Sequence, residues 1–148
     1  MAPVQRLLHG RAEATFADFP IALGQAFGPV NRAIAEHGIQ TTGPAIFIYE
    51  GTTSDPQAPF TLTTGFPTAE GTEAPAGLAL RTLPAVRVVS AYYTGSLRDI
   101  GEAWRIFNEQ VADAGYPTGG TAYELYLYWE GDDSDNNVVE LQLTLNDG

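Results

Sequence analysis

Between Leu97 and Ala114 the apolar residues Leu97, Ile100, Trp104, Phe107, Val111 and Ala114 recur at the i, i+3, i+4 spacing of an amphipathic helix. Ser96, with Asp99 three residues on, forms a near capping box at its start, and Gly115 stops it. Before it, the Val- and Tyr-rich run Ala85–Thr94 predicts a strand; after it, Thr121–Trp129 and Val138–Leu145 predict two more. The first half predicts the same series: a strand within Val4–Thr15, a helix around Pro20–His37, a strand at Ala45–Glu50 and another near Pro59–Phe66. Gly28-Pro29 interrupts that helix. Proline lacks the helical N–H and clashes with the preceding turn, so a kink or two short helices are expected.

The likeness of the halves is also visible residue by residue. A shift of 77 residues lays Gly24–Tyr49 over Gly101–Tyr126 with nine identities in 26 ungapped positions, including Gly38/Gly115, Ala45/Ala122 and Tyr49/Tyr126. Chance would give roughly 6–8%. The chain therefore reads as one α+β domain over residues 1–148, made of two β-α-β-β units at about 3–67 and 80–146. Antiparallel sheets with the helices packed on one face, pseudo-twofold symmetry and a central ligand cleft are the expected architecture. Thr68–Pro75 is the expected linker. The acidic stretch Glu130–Asn137 spaces Asp133, Asp135 and Asn137 like a calcium loop, but Val138 stands where that loop needs Gly and Thr144 where it needs Glu. A solvated hairpin turn is expected there, and no metal.

Alternation along Thr121–Trp129 puts Tyr123, Leu125, Leu127 and Trp129 on one face and Glu124, Tyr126 and Tyr128 on the other. The aliphatic face is expected to pack on the helices. The second face mixes a carboxylate with phenol rings, which suits a pocket with a polar anchor. The 77-residue shift sets Phe47 and Tyr49 opposite Glu124 and Tyr126, so the four are expected to meet in one cleft. In the last strand Val139, Leu141, Leu143 and Leu145 are expected to face the helices, with Glu140 and Gln142 joining Glu124. Trp104 and Phe107, at helical spacing beside aliphatics, are expected in the core; His37 closes a helix, and His9 is an ordinary strand residue.

Composition removes most other chemistry. The absence of Cys and Lys excludes disulfides, thiolate nucleophiles, zinc ribbons and Schiff bases, and two histidines are too few for a His-rich metal site. Carboxylates, hydroxyls and sixteen aromatic rings remain. Seven arginines against eighteen acidic residues give a net charge of −11, which repels a phosphate backbone and argues against direct nucleic-acid binding. No apolar run spans a bilayer and no leader pattern opens the sequence, so a cytoplasmic protein with no membrane partner is expected.

Four segments taken together resemble a known family: Gly43-Pro44-Ala45-Ile46-Phe47-Ile48-Tyr49, Tyr93-Thr94-Gly95-Ser96, Tyr123-Glu124-Leu125-Tyr126-Leu127 and Val139-Glu140-Leu141-Gln142-Leu143. Their order and spacing are similar to the GyrI-like small-molecule-binding domain, also called the AraC-type effector-binding domain, from about Val4 to Leu145. The resemblance implies paired β-α-β-β units with ligands between them, and it places on Glu124 the buried glutamate that contacts cationic or aromatic ligands in multidrug-binding members. Many members carry a helix-turn-helix domain; this chain has no room for one and is expected to stand alone. The function expected is binding of amphipathic aromatic cations, as sensor or sequestering protein, by Glu124, Tyr126, Tyr128, Phe47, Tyr49, Glu140 and Gln142, without a cofactor. Two alternatives follow from the resemblance. One is a hydrolase of cyclopropyl-type electrophiles using Glu124 or Glu140 as general acid or base. The other is a regulator of a protein partner, like the gyrase-binding relative, docking through Glu130, Asp132, Asp133 and Asp135.

Overall fold

The computed structural model describes residues 5–52, 55 and 57–146. The chain runs β1 (Gln5–Ala14), α1 (Phe19–His37), β2 (Ala45–Glu50), β3 (Phe60–Pro67), β4 (Ala79–Leu83) and β5 (Val88–Thr94). A 3-10 turn at Leu97–Asp99 then leads into α2 (Ile100–Asp113), β6 (Thr118–Tyr128) and β7 (Val138–Leu145). Val4, the expected start of the first strand, lies outside the described residues. The expected α+β architecture is what the chain adopts. Its strands form one seven-stranded sheet in the order β4-β1-β3-β2-β6-β7-β5, antiparallel at every ladder.

Two elements differ from the sequence expectation. β4 was not predicted; it is five residues long, too short for a clear alternation, and is held by its pairing along β1. α1 runs through Pro29 as one helix of 19 residues rather than two short ones. Proline removes one donor, that for the carbonyl of Gln25, while packing of Ala22, Ala26, Val30 and Ala33 holds both sides of the interruption. Gly38 ends the helix in the left-handed conformation, φ 60°, and sends its N–H back to the carbonyl of Ile34. Ser96 opens the second helical segment as expected, its hydroxyl accepting from the Arg98 N–H.

Both helices lie on one face of the sheet. Ala22 and Ala26 of α1 pack on Ala14, Ala45, Phe47, Tyr49, Phe60 and Leu62, while Phe107 and Val111 of α2 pack on Val139, Leu141 and Leu143. The two clusters meet at Ala122 and Tyr126, so β6 lies under the seam between the helices. The other face carries Leu7, Ile46, Ile48 and Leu83, flanked by Tyr123 and Leu125.

This reverses one expectation. Residues directly paired in an antiparallel ladder share a face. Phe47 pairs with Glu124 and Glu124 with Leu141, so Glu124 is on the helix side, and the face of β6 bearing Tyr123 and Leu125 points away from the helices. Glu140 pairs with Leu125 and Gln142 with Tyr123, which puts both on the opposite face from Glu124. An apolar strand face signals only that something covers it. Here the cover is chain on the helix-free side.

That cover follows from the connection between β4 and β5. These are the two edge strands, yet only Pro84–Arg87 join them. Six strand spacings of about 4.8 Å separate the edges of a flat sheet by about 29 Å, whereas the five Cα steps from Leu83 to Val88 reach about 17 Å at most. The sheet must therefore twist and curl until the edges approach across the helix-free face, with Pro84–Arg87 as a strap.

α1 lies close against the sheet at Gly10, where a Cβ would lie 2.2 Å from the carbonyl oxygen of Ala26. Gly10→Ala is expected to destabilise the fold by about 2–3 kcal/mol in urea unfolding, because main chain must move on both sides. Gly24→Ala, on the exposed side of α1 with nothing within 4 Å of its Cβ, is expected to stabilise by about 0.5–1 kcal/mol through helix propensity.

Candidate functional site

Glu124 sits near the middle of β6 with 2% of its surface exposed, the one buried acid among the described residues. Three side chains donate to its carboxylate. The hydroxyls of Tyr49 and Tyr126 reach Oε1 at 2.6 and 2.7 Å, and the indole Nε1 of Trp104 reaches Oε2 at 2.7 Å. The ladder places the donors. Tyr126 is two residues along β6 on the same face, and Tyr49 is the diagonal neighbour beside the Phe47–Glu124 pair. Their direct partners are alanines, Ala45 opposite Tyr126 and Ala122 opposite Tyr49, so each ring has room to lean toward the carboxylate. Trp104 comes from α2, the third side of the site.

Rings enclose the cluster. Phe47 and Tyr126 have centroids 4.5 Å apart; Phe27 of α1 packs edge-on against Phe47 at 5.1 Å, and Phe19 against Tyr49 at 6.0 Å. No cationic side chain is paired with Glu124 among the described residues. Burial pushes its carboxyl above the ordinary glutamate range, and the hydrogen bonds from Tyr49, Trp104 and Tyr126 pull it part of the way back. Burial, reinforced by the neighbouring Glu124 charge, holds the Tyr49 and Tyr126 hydroxyls well above their usual range, so both remain neutral donors.

Of the residues expected to form one cleft, the structure brings together Phe47, Tyr49, Glu124 and Tyr126. Glu140 and Gln142 are on the other side of the sheet and bond each other, Gln142 Nε2 to Glu140 Oε2 at 2.6 Å. A register shift between Tyr126 and Tyr128 breaks the alternation of β6, and Tyr128, 50% exposed, donates to Glu130 outside the cluster. The sequence pattern predicts Trp104 only as a core residue. Its helical spacing fits that role, and its N–H partner becomes visible only when α2 is laid across β6.

The acidic loop is a β6–β7 turn organised by Asn137, fully buried, which accepts from the Glu130 N–H and donates to the carbonyls of Gly131 and Ser134. Asp133 pairs with Arg98, and Asp132 accepts from the Trp129 indole. No cluster of three metal-ligating side chains occurs among the described residues.

A buried carboxylate ringed by aromatic side chains, on an open sheet under two helices, marks a small-molecule-binding domain. The chain belongs to the family described as the GyrI-like small molecule binding domain, whose match spans residues 9–145. Among solved structures the fold is similar to the EcmrR C-terminal domain, with a TM-score of 0.78 and 15% identity over 97% of this chain and 92% of that one. It is also similar to SAV2435 bound to tetraphenylphosphonium, with a TM-score of 0.70 and 11% identity over 98% and 90% of the two chains. A third likeness is to a hydrolase encoded by lin2189 from Listeria innocua, with a TM-score of 0.63 and 9% identity over 98% and 89%. The chain spans 55% of the length of EcmrR as seen in its DNA complex. No curated protein matches the sequence. No helix among the described residues is long and apolar enough to cross a membrane.

Because the Glu124 carboxyl titrates higher in the fold than in the unfolded chain, its contribution to stability is fully present below the ordinary glutamate range and is lost as pH rises through the raised value. Glu124→Gln, which keeps the shape, is expected to flatten that slope and to be more stable than wild type at pH 7 by about 1–3 kcal/mol. Urea unfolding of both proteins from pH 4 to 8 measures the difference.

Proposed function

We propose that this domain binds amphipathic aromatic cations between α1 and α2, with Glu124 opposing the positive charge and Phe47, Tyr49, Tyr126 and Trp104 packing on the rings. The observation that carries this reading is a carboxylate buried among aromatic rings whose three donors are all neutral. Neutral donors satisfy its lone pairs and leave its charge uncompensated in a poorly polarisable surrounding, where an ion of opposite sign is attracted most strongly. The rings present π faces to the same cation, each contributing about 0.5–2 kcal/mol. Binding of tetraphenylphosphonium by SAV2435, of similar fold, supports this ligand class.

Trp104 is the donor that a ligand displaces. It is partly exposed, and α2 is anchored by two buried side chains, Phe107 and Val111, whereas α1 buries four. Moving the indole frees Oε2 and leaves the two tyrosine bonds to Oε1 intact. Such a module acts as a sensor or sequesters the cation. As an acid–base catalyst it has no second carboxyl group in the same cleft among the described residues, since Glu140 lies on the other face of the sheet.

Tetraphenylphosphonium titrated into a Trp129→Phe variant, which leaves Trp104 as the one indole, is expected to change the Trp104 fluorescence saturably. Adding Glu124→Gln is expected to weaken binding about 10- to 100-fold, while neutral triphenylphosphine oxide binds both proteins alike. Affinity should rise with pH until Glu124 is fully ionised, about tenfold per unit below its raised pKa, because the cation prefers the carboxylate. Equal affinity of wild type and Glu124→Gln at every pH would remove Glu124 as the anchor.

A further inference from the structure

We propose a second, separate binding site on the helix-free face of the sheet, at Glu140 and Gln142 beneath the Pro84–Arg87 strap, selective for primary alkylammonium groups. The strap and the curled sheet enclose a groove of about 380 Å³ there, within the size range of small-ligand sites. Ile46, Leu125 and Leu127 form its floor, and Leu83 borders it from the end of β4, Val86 from the strap and Val88 from the start of β5. Apart from Tyr123 the apolar walls are aliphatic, in contrast to the ring-lined surroundings of Glu124, and Leu127 remains 44% exposed. A protein with a net charge of −11 thus keeps open an apolar surface beside one fixed carboxylate.

The polar end is already organised. Gln142, 5% exposed, is held by strand pairing between Tyr123 and Ser90, and its amide donates to Glu140 Oε2. That bond orients Glu140 and leaves two acceptors without a donor among the described residues, Oε1 of Glu140 and Oε1 of Gln142. Glu140 is the one Asp, Glu, Lys, Arg or His side chain that lines the groove, and no ion pair among the described residues engages it. Two adjacent acceptors, one of them charged, match a head group with several N–H donors and a positive charge. A primary ammonium has three; a quaternary ammonium has none. The aliphatic walls select an alkyl tail. Glu140 pairs with Leu125, next in sequence to Glu124 but on the reverse side of the strand, so the two sites stand back to back without sharing a side chain.

The test is a titration of n-hexylammonium, to millimolar concentration, into the full chain labelled for backbone NMR. Shifts are expected at Leu125, Leu127, Val86 and Gln142, with hexyltrimethylammonium and hexanol at least tenfold weaker. Glu140→Gln is expected to weaken hexylammonium binding about 10- to 100-fold, while tetraphenylphosphonium binding at Glu124 is unchanged. Val86→Trp, on the strap and away from the sheet's own core, is expected to abolish binding by filling the groove while circular dichroism stays native. No saturable shift in the groove, equal binding of the trimethyl analogue, or binding that survives Glu140→Gln and disappears in Glu124→Gln would overturn the second site. The last result would assign the amine to the helix side, and failure at Glu124 alone would leave this site standing.

Discussion

The β2–β6 ladder is the join on which everything else in this domain depends. It is the single hydrogen-bonded seam between β4-β1-β3-β2 and β6-β7-β5, and Phe47 faces Glu124 at its middle. Positions 47 and 124 are also the ones that the 77-residue shift equates, and strand order reads β2-β3-β1 outward on one side of the seam and β6-β7-β5 on the other. Register here is unforgiving. A slip by one residue would turn Glu124 to the opposite face and take Tyr126 with it, separating the carboxylate from Tyr49 and Trp104. The packing of Phe47 and Tyr49 against α1 fixes β2, and that of Val139 and Leu141 against α2 fixes β7, so the helices hold the register that the site requires.

The two halves of this seam differ in the one respect that matters for charge. Phe47 supplies bulk where Glu124 supplies a carboxylate, so a single negative charge lies over the centre of the sheet. Two carboxylates as direct cross-strand partners in such surroundings would share a proton and spread one charge over both groups. With one acid, each flanking tyrosine can donate to the same oxygen, and the site has a direction: phenols on one side of the carboxylate, indole on the other.

Much of this arrangement is legible in the amino-acid pattern. The spans of β2 and β7 coincide with Ala45–Glu50 and Val138–Leu145, and α2 follows its apolar periodicity from Ser96. Glu124 is conspicuous as a lone acid in a run of rings and aliphatics. Alternation shows which residues share a face, but not which face meets a helix. In β6 both faces are apolar enough to be buried, and the strap that covers one of them comes from a segment without periodicity of its own. For that reason Glu140 and Gln142 fell on the wrong side. The irregularity before Tyr128 leaves no local signature, and the bond from Trp104 depends on how far α2 lies from β6, a distance that no spacing along the helix encodes.

The long reach of the central ladder has a consequence for the order of events during synthesis. Phe47 and Tyr49 leave the ribosome well before Glu124, and the contacts that these two make with Glu124 join segments that are remote in sequence. Closing such remote pairings is the slow part of building an antiparallel sheet. Until it happens, the nascent chain has the half-sheet β4-β1-β3-β2 and a helix, with an unpaired edge at β2 and no anchor. Recognition is therefore a property of the finished chain alone, and any molecule it captures favours the completed state over its half-built precursors.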